Sequence, residues 1–220
     1  MASTGGLMVL FVLGHLAGNL QIFLGREEIN RYGHFLQTNL EIIWPARILL
    51  LTVLGLHVWS AIKLSAENKA ARPVAYAKWN PTAASYASRT MLMSGLIVFA
   101  FIAYHLMHYT FMVKGVNLTG TDFAVLTDPE GRHDIYTMMI KGFSNPAVSL
   151  FYIVAIGLLC LHLSHGMSAM FQSLGWKSPA YRPVLDRGAK IVASLIFLGY
   201  ASIPVKCYLL APGLTGACCK

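Results

Sequence analysis

The chain has 220 residues, of which 56% are hydrophobic and only 12% are charged. About a quarter of the residues of a soluble domain are usually charged, so this composition excludes an ordinary soluble globular protein. The net formal charge of +8 does not indicate a nucleic-acid-binding protein, because the Lys and Arg residues form no basic stripe on a polar fold. We therefore expect a membrane protein that has no nucleic acid among its partners.

The hydrophobic residues are gathered into five blocks of about twenty residues or more, the length that crosses a bilayer. Because backbone polar groups in lipid must be paired within the segment, these blocks predict an all-α membrane protein. The five predicted transmembrane helices cover about 5–24, 40–64, 88–114, 146–172 and 187–209. Residues 1–220 thus form a single transmembrane domain, with no separate soluble domain.

Basic residues are unevenly distributed among the segments between the spans. The 63–90 segment has five Lys or Arg against one Glu, and the 173–190 segment has four against one Asp. The loops at 25–39 and 114–145 have no basic excess. Since cytoplasmic loops carry the excess of Lys and Arg, we predict a cytoplasmic N-terminus and a C-terminus outside. Within the long outer loop, residues 134–143 are predicted to form a short interfacial helix.

The four cysteines form no C-x-x-C pair. Cys160 lies inside an apolar block and is expected to be a buried thiol. Cys218 and Cys219 lie near the C-terminus, and the sequence assigns them no function.

Histidines in the predicted spans are the main functional signal. An ionisable side chain is costly in a bilayer, so such residues are functional candidates. One histidine alone would more often be a packing residue, but four helices carry at least one each. Neutral imidazole is a good ligand for haem iron. The six histidines within spans are His15, His57, His105, His108, His162 and His165.

Counting from the predicted helix ends places these histidines at two depths. His15 and His105 each lie about nine residues from the outer ends of their helices, whereas His57 and His162 lie about seven to ten from the inner ends. At 1.5 Å per residue the two levels differ by roughly 10–15 Å. Two histidines at one depth suit the two axial positions of one haem, so the pattern predicts two bis-histidine haems.

Spacing alone does not choose between neighbouring histidines. His108 follows His105 by three residues, as His165 follows His162, and residues three apart share a helix face. His108 and His165 therefore stay as alternative ligands or as groups beside the ligands. A zinc site would need three or four close ligands, and the even spread over two levels fits haem better.

Eight segments together resemble one known family. They are GHLAGN (14–19), LHVW (56–59), ARPV (71–74), YHLMH (104–108), HDIY (133–136), GFSNP (142–146), HLSHG (162–166) and FQSLG (171–175). They resemble the cytochrome b558 subunit family, the five-helix, di-haem membrane anchor of bacterial succinate dehydrogenase and fumarate reductase. The resemblance covers nearly the whole chain, although family members usually have a basic amphipathic segment before the first span.

The resemblance implies a set of haem ligands. In the family the first span pairs with the third and the second with the fourth. Carried onto this sequence, the axial ligands are His15 and His105 for an outer haem b, and His57 and His162 for an inner haem b. The family pattern thereby selects the first histidine of each i, i+3 pair.

The resemblance also implies a function. The chain would be the membrane anchor of succinate:quinone oxidoreductase (complex II) in the bacterial inner membrane. It would carry electrons between an iron–sulfur subunit and a membrane quinone, with menaquinone expected. A flavoprotein subunit, also on the cytoplasmic face, would interconvert succinate and fumarate, so this chain would have no succinate site. The resemblance is also compatible with an assembly in which two such three-subunit complexes form a dimer.

Quinone chemistry needs a proton donor or acceptor beside an apolar slot. On the outer side the candidates are His34, Glu41 and Arg47. The helix dipole explains Glu41 equally well at the start of the second span, and Arg47 either pairs with a haem propionate or extends to the interface. Arg89 is a propionate candidate on the inner side, where the positive-inside bias also explains it. His133 is expected at the surface.

Two other interpretations stay open. A cytochrome b anchor of a hydrogenase or formate dehydrogenase would keep the haems, although the ARPV and GFSNP segments argue against it. A transporter or proton channel with a histidine relay, or an anchor without cofactor, would show no haem bands in a reduced-minus-oxidised spectrum.

Overall fold

The computed structural model describes residues 1–71 and 89–211. Within them the chain is helical, without a strand, and has one isolated bridge between Thr127 and His133. A 3₁₀ turn, Leu20–Phe23, extends the first helix, and a π-helical turn, Leu106–Thr110, extends the fourth. The α-helices are α1 Ala2–Asn19, α2 Arg26–Thr38, α3 Leu40–Ala70, α4 Met91–His105, α5 Ile135–Ser144, α6 Pro146–Ser173 and α7 Arg182–Leu210.

Five of these helices, α1, α3, α4, α6 and α7, are long and apolar enough to cross a membrane. For the described residues, the predicted helical chain with five helices of membrane-spanning length and hydropathy is therefore confirmed, while the predicted orientation of the termini stays a prediction. Three boundaries differ: α3 continues to Ala70 instead of ending near residue 64, the helix through α4 ends at Thr110 instead of 114, and α7 begins at Arg182 instead of 187. Hydropathy marks only the apolar part of a helix, so it misses the polar end of α3 and the polar start of α7. Residues 111–113 are apolar but not helical, and Met112 has a φ of 51°.

The 25–39 segment is not a loop, as the sequence suggested, but contains the amphipathic helix α2. Gly25, with φ of 115°, permits the turn from α1 into α2. Two acidic residues, Glu27 and Glu28, occupy the first turn, where the helix dipole favours negative charge. The buried face of α2 packs on α5, and a side chain at Gly33 would overlap Ile135. The short helix predicted near 134–143 is confirmed as α5.

The most extensive helix interface joins α6 to α7. Helix α6 begins where predicted: the Asn145 side chain accepts a hydrogen bond from the backbone N–H of Ala147 at 2.9 Å, and Pro146 occupies the first turn. Helices α1 and α7 run parallel, since Tyr200 donates to the carbonyl of Val12 at 2.7 Å and Lys206 donates to that of Ile22 at 2.9 Å.

A polar network joins α2 to the segment that precedes α5, and so covers one end of the bundle. Asn30 is fully buried and its amide donates to Asp128 at 3.2 Å and to Asp134 at 3.1 Å. Arg132 donates to Asp128 at 2.7 Å and forms a two-bond ion pair with Glu27 at 2.7 and 3.0 Å. These five residues, called the polar network below, hold together elements about 100 positions apart in sequence.

Acid is expected to release α2, because the carboxylates of the polar network have lowered pKa values. Hydrogen bonds from Arg132 lower the pKa of Glu27. Burial alone would raise the pKa of Asp128, but hydrogen bonds from Arg132 and Asn30 outweigh it. A carboxyl whose pKa is lower in the folded state than in the unfolded state stabilises the folded state. This stabilisation is fully present above the unfolded pKa of about 4, and it is lost as the pH falls through the folded pKa.

Hydrogen exchange of the α2 amides, corrected for intrinsic rates, measures this effect. Protection should be constant from about pH 7 to 5 and fall below about pH 4. Loss of protection already between about pH 7 and 5 would contradict the assignment to the carboxylates.

Some sequence predictions fall outside the described residues. These are positions 72–74 of the ARPV segment, the basic residues Arg72 and Lys78, and the two C-terminal cysteines, Cys218 and Cys219. Cys160 lies within the described part and is a buried free thiol, as predicted.

Candidate cofactor site between the spanning helices

His15 and His105 meet in space. His15 lies on α1 and His105 is the last residue of α4, and their ring centroids are 5.8 Å apart with planes at 84°. Phe11 stacks on His15 at 5.3 Å, and the Tyr200 ring lies 6.2 Å from it. These two imidazoles, called the first histidine level below, come from two helices separated by about ninety positions in sequence.

His57 and His162 lie on two other helices, beside the opposite ends of α1 and α4. Nδ1 of His57, on α3, lies 3.1 Å from the Thr4 hydroxyl of α1. Nδ1 of His162, on α6, lies 3.2 Å from the Ser94 hydroxyl of α4. His57 and His162 are close enough to interact electrostatically. This pair is called the second histidine level.

The separation of the two levels follows from the helix rise. Thr4, beside His57, is eleven residues from His15 along α1, and Ser94, beside His162, is eleven residues from His105 along α4. At 1.5 Å per residue both counts give about 16 Å. The structure thus places His15 beside His105, and it places Thr4 and Ser94, the neighbours of His57 and His162, about 16 Å away along α1 and α4. That the four histidines pair as haem ligands stays a prediction.

Hydrogen bonds direct the imidazoles of the second level. When a hydroxyl group forms a hydrogen bond with Nδ1 of an imidazole, Nε2 is the nitrogen that remains to bind a metal. Thr4 does this for His57, and Ser94 does it for His162. A Cβ added at Gly5 or Gly95 would lie 3.5 or 3.3 Å from Cε1 of the respective ring, so the glycines give these rings room.

His108 is the most enclosed histidine of the described chain. It lies in the π-helical turn, is 0% exposed and stacks on Tyr109 with ring centroids 4.0 Å apart. Its Nδ1 lies 2.9 Å from the Tyr152 hydroxyl, whereas its Nε2 has no hydrogen-bond partner in the described part of the chain. Phe123 also lies parallel to the ring, at 5.8 Å. His108 is thus packed among aromatic rings, while His105 lies beside His15.

His165 lies one turn after His162 on α6, near a small charged cluster. Lys177 forms an ion pair with Asp186 at 2.6 Å, and both contact the Ser168 hydroxyl. Electrostatic interactions connect His165 with both charges. No hydrogen bond from its ring is present among the described residues.

Glycines near the histidines divide into two groups. A Cβ at Gly18 would crowd Tyr32, at 2.8 Å, and one at Gly157 would contact Phe197 at 3.6 Å, so these two permit helix packing. A Cβ at Gly14, Gly55 or Gly166 would meet no atom within 4 Å. The second group therefore borders open space; Gly14 and Gly55 are exposed and Gly166 is partly buried.

The structure does not gather the predicted quinone and propionate residues into one site. His34 and Glu41 are exposed, and Arg47 lies over the Trp44 ring at 5.3 Å. Arg89 is exposed just before α4. A groove of about 360 Å³ does lie between α1 and α2, but none of these four residues lines it: it is formed by Gln21, Glu28, Arg31, Tyr32 and Phe35.

His133 differs from its expected surface position. Its ring is partly buried, and Nδ1 lies 3.1 Å from the carbonyl oxygen of Leu126. This contact and the bridge between Thr127 and His133 close the loop before α5. The loop has its own packed interior, which the polar composition of the segment did not reveal.

Sequence reasoning missed several residues beside the histidines. Thr4, Ser94 and Tyr152 contact ring nitrogens, but isolated hydroxyl groups in apolar helices carry no distinctive pattern. Lys206 could have been found, because an ammonium group inside a predicted span is a functional candidate by default. It donates to the carbonyl of Ile22 and lies 4.5 Å from the Phe23 ring centroid.

The chemistry of this arrangement is that of paired imidazoles in apolar surroundings. No group of three or more His, Cys, Asp or Glu side chains that could hold a metal ion occurs in residues 1–71 and 89–211. Comparisons with protein-family models, with curated protein sequences and with solved structures found no match for this chain.

Proposed function

We propose that this chain is a di-haem cytochrome b, the membrane anchor of a succinate:quinone oxidoreductase. The observation that carries the proposal is the approach of His15 to His105, with ring centroids 5.8 Å apart. Two imidazoles that bind one metal from opposite sides, each through a nitrogen at about 2 Å, have centroids roughly 6 Å apart. Helices α1 and α4 would thus supply both axial ligands of one haem.

The second histidine level supports a second haem. His57 and His162 each engage Nδ1 with a hydroxyl and leave Nε2 for iron. Bound haem would supply reversible one-electron chemistry. Two such sites about 16 Å apart along the helices would make a path across the bilayer.

The donor set fits haem better than a bare metal ion. Haem needs only two ligands from the protein, since the porphyrin fills the other positions. A structural or catalytic zinc site needs at least three protein ligands. The open positions beside Gly14, Gly55 and Gly166 are consistent with a flat ring between helices.

The partners follow from the resemblance in sequence. A flavoprotein and an iron–sulfur subunit would bind on the cytoplasmic face of the bacterial inner membrane, on the side of the second histidine level. A membrane quinone, proposed to be menaquinone, would react near the first level. The eight matching segments, of which those around His15, His57, His105 and His162 contain the ligands, support this proposal.

The test begins with the chain purified alone and in complex after co-expression with its neighbouring genes. Two haems per chain in a reduced-minus-oxidised spectrum, with succinate:quinone activity in the complex, would support the proposal. A preparation without haem bands would favour the histidine-relay transporter. Two haems in a complex with hydrogenase or formate dehydrogenase activity, and no succinate activity, would favour a different quinone-linked dehydrogenase.

A further inference from the structure

We propose that Tyr152 is a positioning residue that links His105 to His108 and thereby lowers the redox potential of the haem held by His15 and His105. This inference rests on the proposed function, because it requires haem iron at the first histidine level. It concerns groups that the ligand pattern of the sequence does not include: a phenol on α6 and a second histidine that does not bind iron.

The Tyr152 hydroxyl lies between two imidazole nitrogens. It is 3.4 Å from Nδ1 of His105 and 2.9 Å from Nδ1 of His108. Tyr152 is 3% exposed and His108 is 0% exposed, so their contact lies away from solvent, while His105 is partly buried. The rings of Phe143 and Phe101 pack edge-to-face against Tyr152, at 5.0 and 5.2 Å, and hold its ring in place.

The hydrogen atoms in the hydrogen-bonded series His105–Tyr152–His108 can be assigned in one consistent way. With Nε2 of His105 directed to iron, its Nδ1 carries the hydrogen and donates to the Tyr152 oxygen. The Tyr152 hydroxyl then donates to Nδ1 of His108, which must be the unprotonated nitrogen of a neutral ring. The remaining hydrogen lies on Nε2 of His108, the atom without a partner in the described part of the chain.

The hydrogen-bonded series His105–Tyr152–His108 should lower the redox potential of the haem iron. An acceptor at Nδ1 makes an axial imidazole a stronger donor, which stabilises the oxidised metal and lowers its potential. Because the Tyr152 hydroxyl itself donates to His108, its oxygen is polarised and accepts more strongly. Thr4 and Ser94 at the second level are aliphatic hydroxyls, each on one imidazole. The two haems should therefore respond to different residues.

The first experiment is a redox titration of Tyr152→Phe in the purified chain with both haems bound. The midpoint potential of one haem should rise, and the other should stay unchanged. Tyr200→Phe is the matched control, because the Tyr200 ring lies 6.2 Å from His15 but its hydroxyl donates to the carbonyl of Val12. Unchanged potentials in Tyr152→Phe, or an equal rise in Tyr200→Phe, would overturn the proposal.

A second variant tests the role of His108. His108→Phe keeps an aromatic ring in the stack; it should retain two haems and raise the same potential, by less than Tyr152→Phe does. In the double variant, His108→Phe should add nothing, since its effect passes through the Tyr152 hydroxyl. Additive effects, or loss of a haem in His108→Phe, would contradict the link. If Tyr152→Phe does not retain haem, the shift in His108→Phe alone decides.

These outcomes are separate from failure of the proposed function. A wild-type chain without haem would refute the proposed function before any variant is made. A wild-type chain with two haems whose potentials are insensitive to Tyr152 and His108 would refute only the inference.

Discussion

Replacing His105 with Ala is expected to remove one of two haems, and so to halve the haem content per chain. His105 is the α4 residue whose ring faces His15, at 5.8 Å. A single remaining imidazole cannot fill both axial positions, and loss of an axial ligand in an apolar site leaves the haem weakly held. The measurement is a pyridine haemochrome assay together with a reduced-minus-oxidised spectrum of the purified variant.

The neighbouring histidine provides the control. His108→Ala should keep both haems, because the His108 ring is stacked on Tyr109 and its Nδ1 is engaged by Tyr152. The opposite result, with two haems after His105→Ala and one after His108→Ala, would show that the wrong member of the pair was chosen.

The second histidine level offers the same comparison. His162→Ala should remove the other haem, whereas His165→Ala should remove none, since His165 interacts with the charges of Lys177 and Asp186. The haem that survives in His162→Ala should be the one lost in His105→Ala. The absorption bands of the two variants should therefore sum to those of the wild-type chain, and the single midpoint potential of each variant should match one of the two in the wild-type chain.

The spans and histidine depths could be predicted because both depend on local and regular quantities. Mean hydropathy identifies helices long enough for a bilayer, and a rise of 1.5 Å per residue turns positions into depths. These two rules were enough to pair His15 with His105 in space and to separate them from His57. The direction of the helices entered only through the distribution of Lys and Arg.

The surroundings of the histidines could not be predicted in the same way. Tyr152 lies 47 positions from His105, and nothing in its sequence neighbourhood distinguishes it from a packing residue. Its contact depends on the α4·α6 interface and on the π-helical turn that follows His105. Such turns are frequent at functional sites, but sequence periodicity does not locate them.

Helix α2 illustrates a different failure. Its charged start, Arg26-Glu27-Glu28, resembled the end of a span followed by a loop. Its buried residues, Ile29, Asn30 and Gly33, lie on one helix face that includes a polar side chain and a glycine. With 13 residues and a polar composition, the helix is too short and too polar for the hydropathy of a span to mark it. The partners of Asn30 are about 100 positions away, and only the folded structure brings them together.

Replacing Asn30 with Ala is expected to release α2 from the end of the bundle. Asn30 is fully buried and makes three hydrogen bonds: two to the carboxylates of Asp128 and Asp134, and one from the backbone N–H of Tyr136 at 2.9 Å. The variant leaves that N–H without its partner and removes a donor from each carboxylate. Such losses cost about 2–4 kcal/mol in the free energy of local unfolding.

Hydrogen exchange measured by mass spectrometry on the chain in lipid nanodiscs gives this free energy directly. If the free energy of opening α2 falls by about 2–4 kcal/mol, the amides of α2 should exchange about 30 to 1,000 times faster. Asn39→Ala is the matched control, because the Asn39 amide makes one bond, to the carbonyl of Phe35 at 2.7 Å, at the exposed end of the same helix. It should change exchange by less than about tenfold.

The two histidine levels make the Asn30 result informative about the whole molecule. His15 lies on α1, which leads directly into α2, while His57 and His162 lie towards the opposite end of the bundle. Release of α2 should therefore leave the spectrum of the haem at the second level unchanged and affect only the one at the first level. Equal exchange in Asn30→Ala and Asn39→Ala would show that the polar network does not hold α2, and that apolar packing around Ile29 and Gly33 suffices.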